Sequence, residues 1–167
     1  ALWQFERMRP TLSHNLNELL ISKDINKLLY GIEAVGIIKA KNFKRNLVEK
    51  LKDKDPLIRD TVIIALARMN EEKVLHHVAV LIYDKSHISG IKRKYILNTL
   101  EPDYKDKVLK VVKKFAVNEI AEILKNNKNK TVELMDNETL NKLAHLYKTL
   151  GAYSEFSKIQ IGLTNRS

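Results

Sequence analysis

Residues 51–69 read LKDKDPLIRDTVIIALARM, and this stretch carries the signals of one complete helix. Asp55 suits an N-cap because its side-chain oxygen can accept a free backbone N–H. Pro56 follows at the first helical position, where its missing N–H costs nothing. Apolar residues then recur at helical spacing on one face, namely Ile58, Val62, Ala65, Leu66 and Met69. The stretch therefore predicts an amphipathic helix from Pro56 to about Met69.

The same pattern recurs 31 residues away in both directions. Displaced by this period, similar residues coincide in three sets: Leu16, Leu47 and Val78; Leu20, Leu51 and Ile82; Asp24 and Asp55. A fixed period of about 20–50 residues is typical of stacked helical repeats, in which each unit buries its apolar face against its neighbours. We therefore expect an all-α solenoid of stacked antiparallel helix pairs. Its period lengthens to 34 in the third unit, where Val74 aligns with Val108.

Each repeat is interpreted as two helices, A and then B. In the second repeat, helix B follows Asn70 and directs Val74, Val78, Leu81 and Ile82 inward. In the third repeat, Ser89 is the expected N-cap of helix A, and the three extra residues lie around His87 to Ile91. Pro102 separates helix A from helix B there, with Asp103 as the expected cap.

The predicted organisation is a single domain. It comprises a partial or capping unit (1–19), repeats at 20–50, 51–81 and 82–115, a degenerate C-terminal repeat or cap (116–161) and a tail (162–167). Within the C-terminal part, we expect helices at Val117–Lys125, Asn137–Leu150 and Tyr153–Ile161, with a solvated turn at Asn126–Lys130 and a helix stop at Gly151.

The beginning of the chain leaves two interpretations open. Residues 12–18 align with 43–49 and therefore form a B helix, yet too few residues precede them for a complete A helix. One interpretation is a fragment of a longer protein that begins within or next to another repeat. The other is a complete domain in which Trp3, Phe5 and Met8 form a shortened capping helix.

The second repeat resembles the HEAT repeat family. Asp55-Pro56, Ile58-Arg59 and Ala65-Leu66 correspond to the family's Asp-Pro turn, Val-Arg pair and Ala-Leu-Gly ending. The resemblance covers residues 12–115 well and the rest weakly. It implies a right-handed superhelix, with armadillo-like packing as a close alternative, and a non-enzymatic scaffold that binds proteins. It also implies that Arg59 and Arg93 pair with turn aspartates of a neighbouring unit, for which Asp53, Asp55 and Asp84 are candidates.

Composition narrows the chemistry. The chain has no Cys, which excludes disulfides, thiol catalysis and Cys-type zinc sites. It lacks an HExxH pattern, a GxSxG pattern and a Gly-rich phosphate loop. His76 and His77 are adjacent and point about 100° apart on a helix, so they do not chelate one ion. We therefore predict no enzyme activity, no metal and no cofactor. No apolar run reaches the length of about 18 residues that spans a bilayer, and we expect a cytoplasmic location.

The formal charge of +10 favours acidic partners. The HEAT resemblance implies that B helices line a concave face, where equivalent positions form a column: His14, Arg45, His76 and Lys110. Flanking it are Lys41, Lys44, Lys107, Lys113 and Lys114. We call the four residues the B-face column and predict that it binds a partner. The competing interpretation is an ordinary polar surface in a lysine-rich chain.

Three functions follow. The first is a scaffold or adaptor domain that binds an acidic protein or peptide. The second is nucleic-acid binding, with phosphates held by the same column, although the charge is spread along the chain and exposed aromatic residues are few. The third is the cytosolic regulatory domain of a larger membrane protein. Neither the oligomeric state nor the identity of a partner follows from the sequence.

Overall fold

The computed structural model describes residues 14–84 and 90–166, and every regular element within these ranges is helical. Residues 14–20 form α1. The other helices are α2 (Ile25–Ile37), α3 (Lys44–Lys50), α4 (Pro56–Arg68), α5 (Leu75–Tyr83), α6 (Gly90–Thr99), α7 (Pro102–Asn126), α8 (Asn137–Leu150) and α9 (Tyr153–Thr164). Short 3₁₀ turns occupy Lys41–Phe43, Glu72–Val74 and Val132–Leu134. The predicted all-α class is confirmed for this part of the chain.

The chain divides into two compact units, a first unit up to Val108 and a second unit from Leu109 onward. Some predicted features lie outside the described residues: the capping contacts of Trp3, Phe5 and Met8, the insertion at His87 and the N-cap Ser89. Within the described residues, no helix is both long enough and apolar enough to cross a bilayer.

The start of helix A is the same in the first two repeats. Helices α2 and α4 both contain 13 residues and both follow an aspartate N-cap, as predicted. The Asp24 side chain accepts hydrogen bonds from the backbone N–H groups of Asn26 and Lys27. Asp55 accepts one from Leu57 at 2.8 Å. These bonds satisfy donors that a helix N-terminus otherwise leaves free, so the two caps fix equivalent starting points.

The turn from helix A to helix B also repeats. Lys39 and Asn70, which are equivalent under the period, adopt the left-handed conformation with φ of 53° and 59°. The N–H of the next residue then bonds a carbonyl five positions back, at 3.0 Å from Ala40 to Val35 and at 3.0 Å from Glu71 to Leu66. A three-residue 3₁₀ turn follows in each repeat. The two repeats therefore share a backbone turn although its residues differ.

Helix α4 lies at the centre of the first unit. Ile58 and residues 62–69 are all buried, and together they include the whole apolar face predicted for this helix. Helix α2 packs closely on α4 at Gly36, where an added Cβ would lie 2.6 Å from the Ala65 Cα. The B helices contribute Leu16, Leu47 and Val78, which are at most 4% exposed and confirm their predicted inward positions.

The third repeat departs from the predicted boundaries. Helix α7 begins at Pro102, so Asp103 lies in its first turn and is not the cap. The helix continues to Asn126 without a break, whereas the sequence suggested a repeat boundary at 115/116 and a separate helix from Val117. The reason is that no Gly or Pro interrupts this stretch, and its buried stripe continues through Val108, Val112, Ala116 and Ile120.

Arg59 makes a different contact from the one implied by the HEAT resemblance. Its Nη1 donates to the backbone carbonyl oxygens of Asp53 at 2.7 Å and Lys54 at 2.8 Å. The guanidinium therefore binds carbonyls of the turn before its own helix, where the resemblance implied turn carboxylates of a neighbouring unit. The contact still fixes the turn from one repeat to the next, because these carbonyls end the preceding segment.

The second unit contains the predicted helix Asn137–Leu150, confirmed as α8. Asp136 caps it by accepting from the N–H of Thr139 at 2.8 Å. Gly151 ends it in the left-handed conformation with φ of 74°. Helix α9 runs to Thr164, three residues beyond the predicted Ile161 and into the predicted tail. Leu140, Leu143 and Ala144 on α8 and Ile159 on α9 are buried.

Candidate functional site

Three residues of the B-face column occupy equivalent, exposed positions in the first unit. His14 lies on α1, Arg45 on α3 and His76 on α5, each two residues before a buried residue of the same helix. The side chains of His14 and Arg45 are 73% and 91% exposed. His14, Arg45 and His76 therefore hold equivalent solvent-facing positions, each on its own B helix.

Glutamates lie beside two of these basic residues, which the sequence analysis missed. His14 Nε2 lies 3.3 Å from Glu18 Oε1, and Arg45 Nε lies 3.5 Å from Glu49 Oε1. Glu18 and Glu49 are themselves 31 residues apart, so the same alignment that revealed the basic column contains the signal. Helices α1 and α3 therefore each present a basic residue with a glutamate one helical turn after it.

Two flanking lysines bridge successive repeats. Lys44 on α3 pairs with Glu71, which is 8% exposed. Lys107 on α7 lies 2.6 Å from Glu72, the neighbouring glutamate. The Lys44 ammonium lowers the pKa of Glu71 despite the opposing effect of burial, with further help from the Lys73 backbone N–H. These two lysines therefore have a structural role in the first unit, whereas Lys41 is simply exposed on its 3₁₀ turn.

Two further side-chain contacts stabilise the turns between helices A and B. Tyr104 donates its hydroxyl to the Glu71 carbonyl at 2.7 Å, and burial raises the pKa of this phenol, followed by the charges of Glu72 and Glu71. Lys39 pairs with Glu101 and so joins the first repeat to the third. These contacts identify the glutamates beside the turns as parts of the framework.

Lys110, Lys113 and Lys114 lie on α7 in the second unit, and all three are exposed. The structure thus places three residues of the B-face column in one unit and the fourth in the other. His76 and His77 have ring centroids 6.3 Å apart at 89°, as expected for neighbours that diverge on a helix. No group of three or more His, Asp or Glu side chains within the described residues suits a metal ion.

No protein-family model, curated protein or solved structure matches this chain. The resemblance to HEAT repeats therefore stays a prediction that rests on the residue pattern and its period.

A second feature escaped the sequence analysis. Arg68, the last residue of α4, is 3% exposed, although arginine is rarely fully buried. Its Nε donates to Thr99 Oγ1 at 3.1 Å, and its guanidinium lies 5.7 Å from the centre of the Tyr95 ring. Both partners are on α6, about one repeat away. Nothing in the local pattern distinguishes Arg68 from a surface residue at a helix end, because its burial depends on the neighbouring repeats.

Proposed function

We propose that this chain is a non-enzymatic scaffold that binds an acidic protein or peptide through the exposed face of its B helices. The observation that carries the proposal is the placement of His14, Arg45 and His76 at equivalent exposed positions of three successive B helices. Basic side chains that recur at one period suit an extended partner that presents carboxylates along its length, with Arg45 as the permanent cation among them. The HEAT-type α-solenoid is part of the same proposal.

Repeated backbone features support the solenoid. The aspartate caps, the left-handed turn residues and the 3₁₀ turns recur at one period in the first two repeats. Helix α4 packs against its neighbours α2, α3 and α5. Solenoids are built from repeats that bury their apolar faces against adjacent repeats in this way.

The acidic residues on this face favour a protein over a nucleic acid. Exposed pairs such as Arg45–Glu49 contribute only about 0.3–0.5 kcal/mol, so a partner carboxylate can replace Glu49 at little cost. Glu18 and Glu49 repel any polyanion, but a flexible peptide can place its carboxylates on the basic side chains and away from the two glutamates, whereas the fixed phosphate spacing of a duplex cannot adjust. Complementary charge of this kind mainly raises the association rate and selects the sign of the partner.

The proposal is tested with a fluorescently labelled poly-glutamate peptide and, separately, a DNA duplex. We expect Arg45→Glu to weaken peptide binding ~5-fold or more, because a rim cation becomes a repelling carboxylate. Lys27→Glu is the matched control, since it makes the same charge change at an exposed position of helix α2, outside the B helices. Fluorescence anisotropy gives the dissociation constants, and circular dichroism checks that both variants remain folded.

Salt dependence distinguishes the two partner classes. Phosphate binding should weaken steeply with salt, with a log–log slope near −0.9 per phosphate neutralised on duplex DNA. If the partner is a protein, we expect weak binding to the duplex and peptide binding that persists better as the salt concentration rises. Tighter binding to the duplex, or equal losses in Arg45→Glu and Lys27→Glu, would contradict it.

A further inference from the structure

A cavity of about 100 Å³ lies in the first unit where helices α2, α4 and α6 meet. Its wall includes the charged residues Glu33, Arg68 and Lys92 and the apolar side chains of Ile64, Tyr95 and Ile96. The cavity is reached from solvent because Tyr95 is 51% exposed and Glu33 has a side chain that is also 51% exposed. All three helices are A helices, so the cavity is separate from the B-face column.

The buried guanidinium of Arg68 has donors to spare. A guanidinium carries five N–H donors, and among the described residues only its Nε–H forms a hydrogen bond, to Thr99. The nearest carboxylate contact is Glu33 Oε1, 3.8 Å from Nη1, which is beyond hydrogen-bonding distance. Burying a charge is costly unless acceptors compensate it. The Nη groups of Arg68 are not among the fully buried atoms that lack a partner, so they keep contact with the solvent of the cavity, where an additional acceptor can bind them.

The shape and charge of the cavity fit a carboxylate. A guanidinium edge binds the two oxygens of a carboxylate in parallel. The exposed Lys92 adds a second cation, while Ile64 and Ile96 suit an attached methylene. At about 30 Å³ for one water, the cavity holds roughly three water-sized groups, which is the size of a carboxylate with one or two carbons. We propose that this cavity is a binding site for a carboxylate group, with Arg68 as its anchor.

Glu33 acts in this proposal as the internal competitor. Its carboxylate is the nearest anion to Arg68 and must yield to an incoming carboxylate. Neutralising Glu33 should therefore strengthen ligand binding, whereas a purely structural pair would only lose stability. The inference does not depend on the proposed function of the B helices, because it involves other residues and another face.

The probe is sodium acetate, titrated into the ¹⁵N-labelled chain while NMR follows the Arg68 Nε–H, with sodium chloride at matched ionic strength as the reference. We expect a saturable shift with millimolar affinity, because so few ligand atoms limit the binding energy. Glu33→Gln should lower the acetate Kd about 5-fold by removing the competing charge. Lys92→Gln, at an exposed position, should raise it. Identical linear shifts with acetate and chloride in both the parent chain and Glu33→Gln would overturn the proposal.

Two further probes identify the source of the carboxylate. N-acetylglycine represents a chain end, and N-acetylglutamate N-methylamide represents an acidic side chain. Tighter binding of either one than of acetate indicates a group on a protein partner, and preference for acetate indicates a free small carboxylate. Arg68→Gln should abolish the effect of all three on thermal stability, and failure of all three to shift the melting temperature of Glu33→Gln would refute the site.

Discussion

The two units bury their helices to different degrees. In the first unit, the C-terminal half of α4 is buried on every side over residues 62–68, and Met69 after it is buried as well. In the second unit, α8 and α9 pack together, and α9 buries only Ile159 while Tyr153 and Ile161 stay more than 60% exposed. An enclosed helix cannot shift to fill space that a mutation opens, whereas a helix with a free side can. We therefore expect the second unit to tolerate substitutions at buried positions better than the first.

Both units use an arginine to hold a loop, but they take it from different places in the chain. Arg59 binds carbonyls five and six residues before it. Arg166 donates to the carbonyls of Val132 and Met135, both at 2.6 Å, from more than 30 residues away. The first contact forms within one turn and helix. The second requires α9 to be already packed, so the end of the second unit depends on its tertiary structure.

The largest effect on stability should come from substitutions that open a new cavity among the buried side chains of each unit. Leu66 is 0% and Leu143 is 2% exposed. We expect Leu66→Ala to lower the free energy of unfolding by about 4 kcal/mol and Leu143→Ala by about 2–3 kcal/mol, because the cost of a cavity depends on how far its surroundings can collapse. Urea unfolding measures the two losses, and amide hydrogen exchange within each helix reports where protection is lost. A larger loss for Leu143→Ala would show that α8 is as confined as α4.

Much of this fold is encoded locally. The aspartate at 55, the proline after it and the apolar stripe predicted α4 to within one residue, and the glycine at 151 predicted the end of α8. These signals act through backbone donors, steric limits and helical spacing within a few residues. The residues predicted as a helix at Val117–Lys125 are helical but belong to the continuous α7, because weakening similarity between repeats is not itself a helix-breaking signal and no Gly or Pro lies in this stretch.

The candidate sites were less predictable. The exposed position of Arg45 followed from its register with buried Leu47. The framework role of Lys44 did not, since it depends on Glu71, which a tight turn brings beneath it. Arg68 was entirely hidden, because only the approach of α2 and α6 on either side of α4 buries it. Charges paired across repeats need the three-dimensional register, whereas caps and stripes do not.

An intermediate effect should come from adding one methyl group at a helix contact in each unit. At Gly36, a Cβ would lie 2.6 Å from the Ala65 backbone, which cannot move without separating α2 from α4. We expect Gly36→Ala to destabilise the chain by about 1–3 kcal/mol. At Gly162, the nearest atom is the Val132 Cγ1 at 3.1 Å, a side chain that needs to shift only slightly.

Gly162→Ala is therefore the matched substitution in the second unit. Its small crowding should be offset by the helix propensity of alanine, which is about 1 kcal/mol better than that of glycine. We expect no net loss of stability in thermal unfolding. If both substitutions are neutral, the close approach of α2 and α4 is not a constraint, and the contrast between the units weakens.

The smallest effect concerns acid stability. Folding lowers the pKa of Glu71 through Lys44, so the stabilisation by this carboxylate is complete above its ordinary pKa of 4.5 and fades as the pH falls through the lower folded value. We expect Glu71→Gln to destabilise the chain at pH 7. At acidic pH the Glu71 carboxyl of the parent chain becomes protonated and neutral, like the glutamine, and the two stabilities should then match. Urea unfolding across this range measures the difference, which should shrink only below about pH 4.5.

Asp136 is the counterpart of Glu71 in the second unit. Hydrogen bonds from the Thr139 backbone N–H and then from its hydroxyl lower the pKa of this N-cap, but the carboxylate is exposed. Asp136→Asn should change the stability at acidic pH less, because asparagine caps helices about as well as aspartate and the Asp136 carboxylate is exposed, whereas that of Glu71 is buried. If the two substitutions change the stability at acidic pH equally, burial of Glu71 adds nothing to its pairing. The salt bridge between repeats would then contribute no more than an exposed helix cap.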